Sequence, residues 1–523
     1  MEVELESLAL LDDERSGEEP PTDVSRLAKG AGIMVPGRIA GRGLALLAQV
    51  VLARGLGQEA FGLFALAWTL LRLGEFVAPL GLEQGVVRFG SDLRRTNPPM
   101  FKKVLVLSLV STSAVALTFA ALVFLGAPWL AESFFGKPQL TPLLRVVSVG
   151  LVFAAGLNVA GAATRVSLRM QYSLVAQELV QPGVNLVLVL AFLHAGYALG
   201  GAATAVVISY LAGCAMALYF VYRLFPQAWR APWLREPILR SLFAFSAATW
   251  VARVFTSGLI NSDRILVGRF LGAGDVGLYQ AASQIATLFP IIAAAFAAIL
   301  APLFSDLHHR GATGRLALVY RMGAKWGLYT CLPLFLVVTL GSRDVVQLVY
   351  GRPYSPASMP LVVLAAAQIC FVVSNAPGLM LVMVGRQKTW LAVCGISLVC
   401  GVGAQVMLIP VWGLAGAAAG MAAGMAALAV GAIVAVRLAL GIWPFDLQYL
   451  KGLAAAAMAA GSILGLGRLG IASPVLGLML ATSVSCTIFV LVLLALGLEN
   501  EEKQPLIALR ARVTRRWGTG RGS

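Results

Sequence analysis

Charged, imidazole and thiol side chains are scarce in this sequence, and each shortage argues against a class of function. Only 12% of the 523 residues are charged, and there are three histidines and six cysteines. The cysteines lie in or at the ends of apolar stretches without metal-ligand spacing, so we expect them to be reduced and predict no metal site and no resident cofactor. The net charge of +16 would suggest nucleic acid for a soluble protein. A mean hydropathy of +0.84 argues against a soluble protein, and no nucleic-acid partner is expected.

Long apolar runs fill the chain instead, and hydrophobic residues make up 59% of it. Fourteen of these runs are each about long enough to cross a bilayer. Because backbone polar groups must be satisfied internally in lipid, such runs form helices. The sequence therefore predicts an all-α polytopic membrane protein with about fourteen transmembrane helices. We place the spans at 31–53, 60–82, 102–125, 141–163, 175–194, 199–221, 238–261, 276–302, 323–340, 357–384, 389–410, 413–436, 449–467 and 472–497.

The distribution of basic residues predicts the orientation. Arginine and lysine concentrate in the even-numbered connections between spans and in the basic tail at 499–523. We expect the protein in a bacterial cytoplasmic (inner) membrane. By the positive-inside rule, both of its termini should lie on the cytoplasmic side. Residues 1–25 form an acidic tail without the features of a cleavable signal, so the first apolar helix is expected to insert and stay.

An internal repeat indicates how the spans are arranged. The segment Arg54–Phe64 aligns without a gap on Arg269–Tyr279 at an offset of 215, with five of eleven positions identical. A repeat unit of six spans keeps both halves in the same direction, so we expect two lobes related by a pseudo-two-fold axis along the membrane normal, with a cavity between them. The predicted units are a first lobe at 26–225, a second lobe at 226–440 and two additional helices at 441–498.

Arginines at membrane depth are the principal candidate site residues. Arg38 and Arg42 share a face of the first span, and Arg253 in the seventh span is Arg38 displaced by 215 residues. Ionisable groups in the bilayer are costly and usually face protein or water. The planar guanidinium suits a pyrophosphate head group. The alternative is that these arginines snorkel to the interface.

Other polar side chains within the spans have weaker patterns. Arg72 and Glu75 are spaced to neutralise each other, and Glu83 is expected at the membrane interface. Glu178 is the candidate for coupling to H⁺ or Na⁺. Stripes of polar residues either line a cavity together with Arg72 and Glu75 or join helices to one another. The stripe residues are Gln181, Asn185, Ser257, Gln280 and Gln284.

Three segments carry a family resemblance. The segments Arg54–Phe64, Gly81–Phe89 and Asn261–Gly272 resemble the polysaccharide-biosynthesis flippases of the multidrug/oligosaccharidyl-lipid/polysaccharide flippase superfamily, over roughly residues 25–440. The resemblance implies a two-lobed bundle whose cavity opens alternately inward and outward. It also implies a lipid-linked oligosaccharide as cargo.

These observations favour a transporter over an enzyme. The leading hypothesis is a flippase for polyprenyl-pyrophosphate-linked oligosaccharide repeat units, in contact with membrane lipids and the polysaccharide assembly machinery. A peptidoglycan-precursor flippase and a cation-coupled multidrug exporter are the alternatives, although the exporter would favour an acidic cavity. A polyprenyl-dependent glycosyltransferase or polymerase would need a large acidic external loop, and the first external loop has only Glu59.

Overall fold

The chain folds into a bundle of long helices. A computed structural model describes residues 23–167, 171–226, 229, 232, 239–446, 448–468 and 473–497, without the side chains of 23–35 and of a few positions between 239 and 252. No β-strand occurs in these ranges, which confirms the all-α prediction. Residues 1–22 and 499–523, which hold most of the two predicted tails, lie outside the described residues. The helices are α1 (Asp23–Val77), α2 (Leu82–Thr96), α3 (Pro98–Pro128), α4 (Leu140–Arg165), α5 (Gln171–Leu174), α6 (Gln181–His194), α7 (Ala198–Leu224), α8 (Leu239–Phe270), α9 (Ala273–Ala286), α10 (Leu288–His309), α11 (Thr313–Leu340), α12 (Ser342–Tyr350), α13 (Ser358–Met383), α14 (Gln387–Leu440), α15 (Tyr449–Arg468) and α16 (Pro474–Ala495).

The helices confirm a multi-pass membrane protein. Eleven helical stretches of the described chain are long and apolar enough to cross a membrane. Two of them contain a kink at a glycine with positive φ, Gly57 at 78° and Gly413 at 57°, and each kink separates two predicted spans. α8 is not among the eleven stretches, but it lies where the seventh span is predicted, so the described helices coincide in position with the fourteen predicted spans.

The repeat found in the sequence is also present in the helix boundaries. In the first lobe, α3, α4, α5 and α7 begin at Pro98, Leu140, Gln171 and Ala198. The corresponding segments of the second lobe begin 215 to 218 residues later, at Thr313, Ser358, Gln387 and the Gly413 kink. The Gly57 kink has its counterpart in the break at Gly272 between α8 and α9. The two lobes, α1–α7 and α8–α14, therefore share one topology.

A reciprocal contact between the lobes confirms the pseudo-two-fold relation. Gly62 and Gly277 are equivalent across the repeat, and each lies against the other's helix. A Cβ on Gly62 would lie 1.8 Å from the Ala273 carbonyl oxygen, and a Cβ on Gly277 would lie 2.2 Å from the Gln58 carbonyl oxygen. Gln58 and Ala273 are themselves repeat equivalents, so the two contacts exchange under a two-fold rotation. Only glycine permits backbones to approach this closely.

The two additional helices pack against the second lobe. α15 contacts both α16 and α11. Gly452 of α15 lies directly against the Tyr329 ring, whose hydroxyl donates to the Gln448 carbonyl oxygen at 2.7 Å. A small apolar cluster that includes Ala455, Ala459 and Phe489 completes this interface.

Candidate functional site

The lobes are joined at two ends of the bundle, which we call the Gly57 end and the Glu83 end. At the Gly57 end, the Tyr354 hydroxyl of the second lobe donates to the Ala53 carbonyl at 2.8 Å. Lys137 Nζ of the first lobe donates to the Gly268 carbonyl at 2.6 Å and to the Leu271 carbonyl at 2.9 Å. Ala53 and Gly268 are repeat equivalents, so the same carbonyl is bound in both lobes. Burial holds the pKa of the Lys137 ammonium below its usual value, and the carbonyl bonds offset that cost.

Further hydrogen bonds tie the connection between the first two spans to α12 and to the helical turn that follows it at this end. Arg54 donates from Nε to the Val349 carbonyl at 2.9 Å and from Nη2 to the Leu348 carbonyl. Gln58 donates to the Pro353 carbonyl. All these acceptors are backbone carbonyls of the opposite lobe, so the lobes are closed against each other at the Gly57 end, a contact that we call the gate.

A cross-lobe ion pair closes the Glu83 end. Arg253 of α8 donates from Nη1 to Glu83 Oε1 of α2, and the Glu83 side chain is only 6% exposed. The Trp250 indole donates to the Val77 carbonyl at 2.9 Å and so joins the lobes beside the ion pair. Glu83 is therefore buried between the lobes, and its expected depth at the membrane interface stays a prediction.

The arginine of this ion pair belongs to an electrostatically coupled cluster with Arg38, Arg42 and Arg165. The charges of Glu83, Arg38 and Arg253 all act on Arg165 at the end of α4. The side chains of Arg38 and Arg42 are exposed, and within the described residues neither forms an ion pair. Arg38 and Arg253, equivalent in the repeat, thus lie in one electrostatic field with Arg165, a residue that the sequence did not single out. Whether they bind cargo stays a prediction.

Arg72 and Glu75 form the ion pair that their spacing indicates, with Arg72 Nη1 3.1 Å from Glu75 Oε2. Two residues from other helices also donate to this carboxylate: Asn158 to Oε1 at 3.2 Å and the Tyr210 hydroxyl to Oε2 at 3.2 Å. Charge-assisted bonds of this kind stabilise a carboxylate at membrane depth. The charges of Arg72 and Glu75 act on Arg42, so this network and the arginine cluster adjoin.

Glu178 lies on a π-helical turn that the sequence reading missed. The turn spans Val175–Val180 between α5 and α6. Pro182 has no N–H to donate to the Glu178 carbonyl four residues earlier. That carbonyl instead meets Gly41 of α1, where a Cβ would lie 2.2 Å from it. The half-buried Glu178 side chain interacts electrostatically with Arg42, and π-turns are frequent at functional sites.

Two of the polar candidates of the second lobe belong to a separate network. Gln280 accepts from Arg264 Nε at 2.7 Å, and Arg264 also contacts the buried carboxylate of Asp263 at 3.5 Å. Ser257 accepts from Asn261 at 3.3 Å. The bonds from Arg264 to Gln280 and Ser283 join α8 to α9, whereas the bond from Asn261 to Ser257 lies within α8. Both candidates therefore have partners in the second lobe alone.

The remaining candidates are dispersed. Gln181 donates to the Ser209 hydroxyl at 3.1 Å, which links α6 to α7. Asn185 is 4% exposed, and its Oδ1 has no hydrogen-bond partner within the described residues. Gln284 is half-buried on α9. The structure does not gather these three side chains into one lining.

The arrangement of two six-span lobes around a charged interface defines the class of protein as a membrane transporter fold. Solved structures share this fold. The lipid II flippase MurJ in an inward closed conformation aligns with a TM-score of 0.71 at 12% identity, covering 88% of this chain and 97% of that chain. A multidrug resistance MATE family transporter in an inward-facing conformation aligns with a TM-score of 0.64 at 18% identity, covering 76% and 94%.

Sequence comparisons identify the family. The family described as "Polysaccharide biosynthesis protein" matches residues 51–359, so the chain belongs to this family of polysaccharide-biosynthesis proteins. The "Succinoglycan biosynthesis transport protein ExoT" of Rhizobium meliloti is 25% identical over 296 residues, which are 55% of this chain and 56% of that protein. The "Probable low-salt glycan biosynthesis flippase Agl15" of Haloferax volcanii is 22% identical over 392 residues, 75% and 79% of the two chains. The match thus spans about half the length of the first relative.

Proposed function

We propose that this protein moves polyprenyl-pyrophosphate-linked oligosaccharide repeat units from the inner to the outer leaflet of the cytoplasmic membrane by alternating access. The observation that carries the proposal is a charge cluster of the first lobe that Arg253 of the second lobe joins through its ion pair with Glu83. It contains five arginines and three glutamates with a formal net charge of +2 that would match a doubly charged pyrophosphate diester. The members are Arg38, Arg42, Arg72, Arg165, Arg253, Glu75, Glu83 and Glu178.

Arg38, Arg42 and Arg253 are the residues proposed to bind the anionic head group. Arg38 and Arg42 are exposed and without ion pairs within the described residues, so their guanidinium groups are available to a ligand. A guanidinium donates two parallel hydrogen bonds to a phosphate. The sugar would pass between the lobes while the polyprenyl tail stays in the bilayer.

The Glu83 end is proposed to face the cytoplasm, since basic residues concentrate in the connections on that side. Both termini would then be cytoplasmic. An inside-negative potential favours outward movement of an anionic head by about 2.3 kcal/mol per charge per 100 mV. The two lobes, 26–225 and 226–440, are proposed to move as rigid units.

Glu178 is proposed as the site through which H⁺ or Na⁺ could act on this movement. Its charge acts on Arg42, so neutralising Glu178 would change the field at the head-group site. Flipping by Glu178→Gln in proteoliposomes should then lose any dependence on an ion gradient while it retains dependence on membrane potential. A gradient dependence that survives the substitution would exclude this residue.

The test of the main proposal is flipping of a fluorescent polyprenyl-pyrophosphate oligosaccharide by the purified protein in proteoliposomes. The variants Arg38→Ala, Arg42→Ala and Arg253→Ala should each slow flipping at least ten-fold, because each loses a charge-assisted contact. Arg315→Ala, an exposed arginine at the start of α11, is the matched control. Wild-type rates in the Arg42→Ala, Arg253→Ala double variant would refute the proposal.

A peptidoglycan-precursor flippase is the second candidate, favoured by the TM-score of 0.71 with the lipid II flippase. Both cargoes carry a polyprenyl pyrophosphate, so the head-group site fits either. Competition between the two lipids in the same proteoliposomes separates them: the cargo with the higher rate at equal concentration is the substrate.

A further inference from the structure

The carboxylate of Glu83 is the unusual member of the charge cluster. It is 6% exposed on the side chain, and only Oε1 is bound, by Arg253. Within the described residues, Oε2 is buried with no hydrogen-bond partner. A buried carboxylate oxygen left without a partner is costly. The position is therefore not optimised for a permanent ion pair.

The pseudo-two-fold relation shows that this ion pair has no counterpart. The equivalent of Arg253 is Arg38, and the equivalent of Glu83 is Ala298, which is exposed on α10. Arg38 therefore carries the same charge as its repeat equivalent Arg253 but has no carboxylate at the position equivalent to Glu83. One half of the site holds a paired arginine and the other an arginine that is open to a ligand.

The ion pair also lies on the seam that closes the Glu83 end. A Cβ on Gly85 of α2 would lie 2.7 Å from the Leu242 side chain of α8, and the bond from Trp250 to Val77 crosses the same seam. Glu83 and Arg253 are thus the only ion pair across the lobes in the described part of the chain. Separating them would release the strongest polar contact at this end.

We infer that Glu83 is a resident counter-ion which occupies the head-group site when cargo is absent and which a phosphorylated lipid must displace from Arg253. This inference rests on the proposed function, whose site it shares. A head group would first meet Arg38 and Arg42, and its second charge would then compete with the Glu83 carboxylate. Neutral lipids cannot compete, so Glu83 makes opening of the Glu83 end depend on a phosphate-bearing cargo.

The direct test is binding of undecaprenyl pyrophosphate and of neutral undecaprenol to the purified full-length protein in detergent. Glu83→Gln keeps the shape and removes the charge, so it should bind the pyrophosphate lipid about ten-fold or more tightly than the wild type, with no gain for undecaprenol. Asp92→Asn, an exposed carboxylate on the same helix, is the matched control and should bind like the wild type.

The outcomes separate this inference from the proposed function. If the wild type binds the pyrophosphate lipid and Glu83→Gln binds it equally or more weakly, the counter-ion role is wrong and the proposed function stands. If both proteins show no preference for the pyrophosphate lipid over undecaprenol, both are wrong. Binding by Glu83→Gln alone would support the counter-ion role most strongly.

A second measurement needs no variant and so does not depend on the folding of Glu83→Gln. Hydrogen–deuterium exchange of the wild type should rise in peptides covering 82–96 and 239–253 when the pyrophosphate lipid is added, because the seam between them opens. Undecaprenol should leave it unchanged. Unchanged or reduced exchange in both segments with the pyrophosphate lipid would overturn the inference.

Discussion

The contact between Gly62 and Gly277 leads to a quantitative prediction about the gate at the Gly57 end. A Cβ on Gly62 would lie 1.8 Å from the Ala273 carbonyl oxygen, whereas ordinary contact begins at 3.4 Å. The substitution Gly62→Ala therefore forces α1 and α9 apart by roughly 1.6 Å wherever the gate is closed. Overpacking of this kind costs about 1–3 kcal/mol. The lobes can escape this cost by opening at this end, so the closed population should fall by about 5- to 150-fold.

Thiol labelling measures the change. Thr69 is seven residues after Gly62, on the same face of α1, and is 1% exposed. In a background with the native cysteines replaced, Thr69→Cys should react slowly with a water-soluble maleimide. Adding Gly62→Ala should speed the reaction, and flipping should slow because the protein spends less time closed at this end. Gly277→Ala should act in the same direction, since its Cβ would meet the Gln58 carbonyl at 2.2 Å.

The matched control is Gly43→Ala in the same helix, where a Cβ would meet nothing within 4 Å. It adds the same methyl group and the same helix propensity without touching the opposite lobe. Equal labelling of Thr69→Cys with and without Gly62→Ala would refute the reasoning. So would an equal increase with Gly43→Ala, because the effect would then come from the helix itself.

Three further predictions concern polar contacts. Arg253→Lys keeps the positive charge but loses the two-pronged guanidinium, so it should reduce flipping less than Arg253→Ala does. Both variants are compared at equal membrane abundance. An equal loss of flipping would mean that the positive charge alone is insufficient. Lys137→Met removes the donor to the Gly268 and Leu271 carbonyls. It should favour opening of the Gly57 end by about 1.5–3 kcal/mol, seen as faster labelling of Thr69→Cys, and slower labelling would contradict it. Glu75→Gln leaves the Arg72 guanidinium without its counter-ion and should lower the melting temperature of the purified protein, whereas Tyr210→Phe, which removes one of three donors to that carboxylate, should lower it less. The reverse order would show that Glu75 does not hold Arg72.

The sequence by itself determined the membrane class, the number of spans and the repeat, because these depend on local properties. An apolar run of bilayer length is visible within twenty residues. The repeat is visible because glycines and arginines of the first half recur 215 residues later in the second half. The same offset pairs Gly62 with Gly277 and Arg38 with Arg253, so the sequence also indicated which positions are equivalent. It could equally indicate that Arg72 and Glu75 pair, since three residues on a helix fix their separation.

Only the tertiary structure decided the partners that lie on different helices. Glu83 and Arg253 are 170 residues apart, and no periodicity in either helix connects them. Arg165 belongs to the cluster because the end of α4 lies close to Glu83 and Arg253. Gln280 lies outside the cluster because its side chain is bound by Arg264 of the same lobe. Hydropathy and helical spacing specify the face on which a side chain lies. The identity of the opposing side chain depends on how the helices pack, which is settled by contacts such as the glycine crossings distributed over the whole chain.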